Sequence, residues 1–507
     1  MTIESATLAQ LQQSQLLQPE WYSLQADQQF GCIESAWQHY ADKGWQQRLD
    51  PSPFFSTSWY LDHYPDVQAA KLNPLLHYLQ FGFHEGRRIR AHVSEPNLDA
   101  SDQAFFAGDH QRAEQLLQQV QSSSLFVEAG CLFRQARLAF YRAEFAACQL
   151  RCQELLQKYS RYAYPHWTNE LCRYRMHCLL ELGQAEQARQ CVLQQFDQLS
   201  QWSIGVELYR HGVDSYESLA DYRRLLQPFI EAKGREAGQA LFLYALAARK
   251  LKAYPEAKQA LEQRFQLMLQ QPERFFVEAA EPDSSGWQQK ARVALQCLKQ
   301  DFEQAGQRFF LISGTLLGCI REGGFIAHDK DIDVGVMEDV PLDTLAKQLR
   351  RSGRFLVQHT AHDKVLQVRH ANGVLIDIFT HWLQDGLLHH SGQKTAWTNS
   401  PFTLEETEFL GERYTIPANP ERYLQENYGD WKTPKKNYDT FSDTPNMYVT
   451  DLEELHCYYL RMLPEYFVVG KNVQYRNLFR AYQRRFPVSW TMRLRFWWSL
   501  RQLREPL

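Results

Sequence analysis

The sequence predicts an α+β protein. An all-α N-terminal region, organised as a stack of paired helices, precedes a mixed-sheet domain and closing helices. Three observations carry this expectation. Between residues 100 and 275, apolar residues follow helical spacing and a small residue recurs at a near-constant interval. From residue 309, short apolar runs alternate with glycine turns, and aspartates occupy every second position, the period of a strand. The final stretch sets arginines against aromatic residues at helical spacing. The expected divisions are a helical module at 1–95, helical repeats at 96–280, a sheet-containing domain at 285–445 and a basic, aromatic extension at 446–507.

Composition sets the outer bounds. A chain of 507 residues has room for two to four domains, each able to bury a core. Hydrophobic residues make up 44% and charged residues 22%, an ordinary globular balance. A net charge of −4 gives no general attraction to nucleic acid. The longest near-apolar run, Phe309 to Ile320, is broken by Ser313, Gly314, Thr315 and Gly318, so no membrane span is expected. No Lys or Arg precedes Lys43, so the charged start of a secretory leader is missing. Ten cysteines follow no regular frame. Together these features predict a cytoplasmic protein with free thiols.

Taken in order, residues 1–45 are glutamine-rich and amphipathic in places, and suggest no function. Residues 51–90 contain PFFSTSWYLDHYPDVQAAKLNPLLHYLQFGFHEGRR. Pro65 should start one short helix, Asn73-Pro74 should cap and start the next, and Gly82 and Gly86 should end it. Trp59, Tyr60, Tyr64, His77 and Tyr78 form either a docking face or a small aromatic core. The string resembles a short bacterial module found attached to surface-polysaccharide enzymes.

In the helical region, Ala113, Cys148, Ala188 and Ala257 fall at equivalent points, separated by 35, 40 and 69 residues. The last interval is close to twice 34, and the series resembles a tetratricopeptide-like (TPR-like) solenoid. Such a stack offers a concave surface for a partner or a glycan, or serves as a spacer. Cys148 and Cys152 stand one helical turn apart, a pairing more typical of a core than of a metal site. A polar break at 281–286 leads into a helix over 287–307, marked by Ala291, Ala294, Leu298 and Phe302.

The stretch FFLISGTLLGCIREGGFIAHDKDIDVGV, residues 309–336, carries the chemistry. In an extended strand Asp331 and Asp333 point the same way. Carboxylates that close repel one another unless a cation lies between them, and an all-oxygen set suits a hard divalent ion. The backbone of Ser313, Gly314 and Thr315 offers N–H groups to phosphate. Asp377 interrupts the apolar run Val374–Phe379, where an unpartnered charge is costly. It reads either as a third metal ligand or as a general base. Asp329 is open to three roles: direct ligand, hydrogen-bond acceptor behind the ligands, or base. Arg321 is either a phosphate clamp or the partner of Glu322. Lys364 to Arg369 reads as a strand with basic ends.

This stretch closely resembles the LicD/fukutin family, which carries a GTLLG…R…GGFI…D-x-D-I-D pattern. Two later segments match as well: VLIDIF at 374–379, and a P-x-x-P-x-x-YL-x-x-x-YGDW string from Pro417 to Trp431. The resemblance spans roughly residues 285–440. It implies a nucleotidyltransferase-type fold and the transfer of a phosphorylated alcohol, such as phosphocholine or ribitol phosphate, from a CDP carrier to a sugar. It also implies Mg2+ or Mn2+ held by Asp331, Asp333 and Asp377. Asp329 would act at the reacting centre, and Ser313, Gly314, Thr315, Gly318 and Arg321 would contact the nucleotide phosphates. The aromatics of the closing segment either stack on the donor or pack in the core. One departure is Lys330, where family members often carry another acid.

The expected partners are a CDP-alcohol donor, a glycan or lipid-linked glycan acceptor and, through the repeats, polysaccharide-assembly proteins. Residues 471–507 hold nine Lys/Arg and one acid, Glu505. Phe496, Trp497, Trp498 and Leu500 stand among Arg493, Arg495 and Arg501, as on a helix lying in a membrane interface or packed on the catalytic domain. The expected function is phospho-alcohol transfer in bacterial surface-polysaccharide synthesis. The alternatives are nucleotidyl transfer with pyrophosphate release, or a repeat scaffold with an inactive catalytic domain.

Overall fold

The computed structural model describes residues 5–83, 85–91, 95–121, 124–158, 165–196, 213–232, 234–275, 284–327, 329–358, 363–435, 438 and 443–487. The aromatic and basic residues of the tail, Arg493 to Arg501, lie outside them, as does His328. The chain packs as two units, one of residues 1–104 and 110–205, the other of residues 105–109 and 206–507. No helix among the described residues is long and apolar enough to cross a membrane.

The N-terminal unit opens with one small plan built twice. Helix Ile33–His39 runs into a turn of π-helix, Tyr40–Gly44. Helix Pro74–His77 runs into a second, Tyr78–Gly82. Tyr22 shares a 2.8 Å hydrogen bond with His39 Nδ1, and Tyr60 a 3.0 Å bond with His77 Nδ1. Tyr22, Tyr40, Tyr60 and Tyr78 are all fully buried. Tyr22, His39, Tyr40 and Gly44 thus recur as Tyr60, His77, Tyr78 and Gly82, each 38 residues on. Both glycines are required by shape, because a Cβ at Gly44 would strike the Tyr22 hydroxyl and one at Gly82 the Tyr60 hydroxyl. The two copies are joined by a 2.9 Å hydrogen bond between Tyr40 and Thr57.

The second copy follows its sequence signals. Pro65 begins a helix, and Asn73 caps the next by accepting from the Leu76 amide at 3.1 Å. Tyr60 and Tyr78 belong to the module's core, while Trp59 stacks on His63 with ring centroids 4.4 Å apart.

Helices His110–Gln118, Leu125–Tyr141, Phe145–Lys158, Pro165–Glu181 and Ala185–Phe196 complete this unit. Ala113, Cys148 and Ala188 are buried, as is Ala257 in the second unit. The Cys148 and Cys152 sulfurs are 3.9 Å apart in the core, and none of the ten cysteines is in a disulfide.

In the second unit, helices Tyr216–Glu231, Arg235–Lys250 and Tyr254–Gln270 pack in succession. Helix Leu452–Val468 continues the series, and Asn472–Arg485 packs on it. Arg249 pairs with buried Glu454, Tyr254 bonds Asp451 at 3.1 Å and Lys258 reaches Glu453 at 2.7 Å. The closing helices are thus fastened to helices some two hundred positions earlier in the chain.

The sheet of this unit comprises β1 (Phe310–Leu311), β2 (Asp331–Met337), β3 (Phe355–Gln358), β4 (Val365–His370) and β5 (Leu375–Gln384). It continues with β6 (Leu387–Ser391), β7 (Thr395–Asn399), β8 (Leu404–Phe409), β9 (Glu412–Pro417) and β10 (Met447–Val449). The main order is β10-β7-β6-β5-β2-β1-β9-β8, with β4 also paired to β5 and β3 to β4. Pairing is parallel between β2 and β5 and antiparallel between β4 and β5, so the sheet is mixed. Ile332, Val334, Val336, Ile376 and Ile378 are completely buried. They share one core with Ala291, Ala294, Leu298 and Phe302 of helix Ser284–Gln304. That packing commits one sheet face to the interior and leaves the alternate residues of β2 and β5 for the other.

Gly82→Ala should lower the stability of the N-terminal unit by about 1–3 kcal/mol, the usual cost of overpacking. Tyr60→Phe removes the obstructing oxygen, so adding it to Gly82→Ala should recover part of the loss. Urea denaturation of the four-member mutant cycle measures this coupling, and strict additivity would contradict the contact.

Candidate metal centre

The strand period assigns the acids. Ile332 and Val334 enter the core, so Asp331 and Asp333 emerge together on the opposite face. Parallel pairing then sets Asp333 directly beside Asp377. One carboxylate oxygen from each of Asp331, Asp333 and Asp377 lies within 4.8 Å of the others. Among the described residues, this is the one group of three or more His, Cys, Asp or Glu side chains arranged to hold a metal ion. Asp329 precedes the strand. Its Oδ1 accepts from the Lys330 amide at 3.2 Å, and a Cβ at Gly314 would come within 2.5 Å of its Oδ2.

The electrostatics are those of negative charge crowded out of water. Burial, then the charge of Asp331, pushes Asp329 up to about 7. Burial and Asp331 push Asp377 up to about 6 against the opposing hydrogen bond from Gln367. Burial drives Asp333 well above the usual carboxylate range, with Asp331, Asp377 and Asp329 adding to it. Asp331 is also raised by burial, although its hydrogen bond with Asp329 opposes the shift. Two means relieve such a cluster: retained protons, or a cation bound among the oxygens.

The neighbouring backbone secures this arrangement. Ser313-Gly314-Thr315 begins a helix, Ser313–Leu317, and does not form an open turn. Ser313 adopts φ +47°, a left-handed conformation rare for a residue with a side chain. The buried Thr315 hydroxyl accepts the Asp333 amide at 2.9 Å, and the Gly314 amide supports the Asp333 carboxylate. A turn of π-helix, Gly318–Glu322, follows. A Cβ at Gly318 would come within 2.5 Å of the Gly324 carbonyl, so glycine permits the return toward β2.

Arg321 donates from Nε to Glu322 at 2.8 Å and from Nη1 to the Trp431 carbonyl at 3.0 Å. The structure therefore gives it the structural partner foreseen from sequence, and ties it to the closing segment. In that segment, helix Pro420–Tyr428 is capped by Asn419. Tyr423 and Trp431 are core residues. The Tyr423 phenol is raised mainly by burial, with Asp333 adding to the shift, and Tyr428 is raised by burial, with Asp333 and Asp329 among the further causes. Lys364 sits over the Trp382 ring, 5.6 Å from its centroid, and Arg369 is exposed.

Sequence reasoning overlooked Gln367, whose Nε2 donates to Asp377 Oδ1 at 2.9 Å. The available signal was a polar side chain at the centre of an apolar strand pattern. It also took Thr315 only as a nucleotide contact, missing its grip on β2.

Comparisons with known proteins match this region. Residues 306–419 match the family model described as LicD/FKTN/FKRP, nucleotidyltransferase domain. The ribitol-5-phosphate transferase FKTN of Mus musculus is 30% identical over 176 residues, covering 32% of this chain and 38% of that protein. The Macaca fascicularis and Homo sapiens counterparts are 27% identical over 177 residues with the same shares. The chain thus spans well under half the length of these relatives.

With these carboxyl groups raised above their ordinary range, a divalent ion competes with protons for them at low pH. Asp329 at about 7 and Asp377 at about 6 lie above the unfolded carboxylate value of about 3.9, so protonation favours the metal-free fold at low pH. That stabilisation is complete below about pH 4 and is lost as pH rises from there through about 6 for Asp377 and about 7 for Asp329. Added Mg2+ or Mn2+ should therefore raise the thermal midpoint more at pH 7.5 than at pH 5, as differential scanning fluorimetry would show. An equal or larger shift at pH 5 would contradict the electrostatic account.

Proposed function

We propose that this chain, which carries a LicD/fukutin-type nucleotidyltransferase domain over residues 306–419, is a metal-dependent phosphotransferase. It moves a phospho-alcohol, such as ribitol phosphate, glycerol phosphate or phosphocholine, from a CDP-linked donor to a sugar hydroxyl of a bacterial surface polysaccharide. The observation supporting this most is the convergence of Asp331, Asp333 and Asp377 on the face of the sheet opposite its core. The activity of the relatives, ribitol-5-phosphate transfer, supports the reaction class.

Asp331, Asp333 and Asp377 would hold a Mg2+ or Mn2+ ion, which when bound neutralises and orients diphosphate oxygens. Ser313, Gly314 and Gly318 line the phosphate side, and Arg321 adds positive charge from its anchored position. Thr315 acts by holding Asp333. Asp329 stands just outside the triad and accepts the proton of the acceptor hydroxyl as its oxygen attacks the outer phosphorus. The bond from that phosphorus to the bridging oxygen breaks, and CMP leaves. The catalytic domain occupies 285–445. The 1–95 module and the TPR-like repeats at 96–280 engage the acceptor glycan or assembly proteins, and the extension at 446–507 supports a cytoplasmic, membrane-peripheral position.

A thermal-shift screen of CDP-ribitol, CDP-glycerol, CDP-choline and CDP-ethanolamine with Mg2+ should reveal the donor, and CMP release should follow with the correct acceptor. Asp331→Ala and Asp333→Ala should each reduce transfer by at least about 1,000-fold while keeping the circular dichroism of the parent. Undiminished activity in both variants would defeat the assignment. A nucleotide retained on the product, seen by mass spectrometry, would replace phospho-alcohol transfer with nucleotidyl transfer.

A further inference from the structure

The geometry points to Gln367 as a positioning residue that aims one oxygen of Asp377 at the cation site, an inference that rests on the metal-dependent reading above. In β4, Leu366 and Val368 are buried, so Gln367 lies on the opposite face, the one that carries the acids. The antiparallel register sets it directly across from Asp377. Its Nε2 donates to Asp377 Oδ1 at 2.9 Å, leaving the other carboxylate oxygen free to turn toward Asp331 and Asp333.

The residue type suits the task. A carboxylate accepts hydrogen bonds, and the NH2 of a glutamine only donates, so the pairing has one sense. Lysine would also donate, but its charge would occupy the place of the cation. A glutamate would add a fourth negative charge and supply no donor. A neutral amide orients Asp377 while leaving the site's negative charge available to a divalent ion. Asp331 and Asp333 are fixed by the β2 backbone and Thr315, whereas Asp377 enters from the neighbouring strand and requires its own orienting partner. Groups that orient metal-binding side chains typically change metal affinity by roughly 10–100-fold when removed.

The test uses the full chain and Mn2+ alone, with free Mn2+ counted by electron paramagnetic resonance. Gln367→Met keeps length and volume but loses the donor, and should weaken Mn2+ binding by about 10-fold or more. Gln367→His retains a neutral N–H at similar reach and should stay within about 3-fold of the parent. The metal-free thermal midpoints should stay together. If Gln367 served only to fill space, affinity would follow side-chain volume, and Met would bind at least as well as His. Parent-like binding by Gln367→Met, or equal weakening in Met and His, would overturn the proposal. If Met fails to fold, His against the shorter Gln367→Asn decides it, because Asn keeps the amide but cannot reach and must lose affinity. Failure of the metal reading itself looks different: the parent would bind no Mn2+, or Asp377→Asn would bind like the parent.

Discussion

The site depends on one packing constraint, the parallel pairing of β2 with β5. That register sets Asp333 beside Asp377, and the two-residue period of β2 brings Asp331 to the same side. Ile332, Val334, Ile376 and Ile378 enforce it from the other face, because a one-residue slip would send the isoleucines to the acidic side and the aspartates into the core. Hydrophobic burial therefore stabilises a cluster that is unfavourable on its own. The raised carboxyl groups express that conflict, which a cation held among the three oxygens would relieve.

Much of the surrounding architecture maintains the cluster. Thr315 fixes the β2 backbone, and glycine at 314 leaves room for Asp329. Helix Pro420–Tyr428 packs Tyr423 into the core, and Arg321 ties the GTLLG stretch to the closing segment through the Trp431 carbonyl. Farther away, the Arg249–Glu454 pair is well shielded from solvent. Breaking such a pair strands a charge, so its value lies in specifying which helices meet. The N-terminal unit uses another device, a tyrosine–histidine bond over a glycine in a π-turn, and uses it twice.

The acidic strand was legible because its signal is local: alternating aspartates and isoleucines admit one arrangement in a sheet. Asp377 was legible as a charge within an apolar run. Pro65 and Asn73 marked helix starts because proline and asparagine have specific roles there. The first copy of the N-terminal plan was hidden. It shares with the second only a Trp-Tyr pair, a His-Tyr pair and a glycine, and lacks the proline and asparagine that announce the second. The fate of Arg321 depended on a carbonyl 110 residues away, which no local pattern reveals. Gln367 acquires meaning only from the β4–β5 register.

The most direct measurement of the central claim is anomalous scattering from crystals of the protein soaked with Mn2+ and a CDP-alcohol. The account predicts a Mn2+ peak bounded by the carboxylates of Asp331, Asp333 and Asp377, with the donor diphosphate beside it. Manganese bound elsewhere, or a diphosphate seated away from these three side chains, would contradict it.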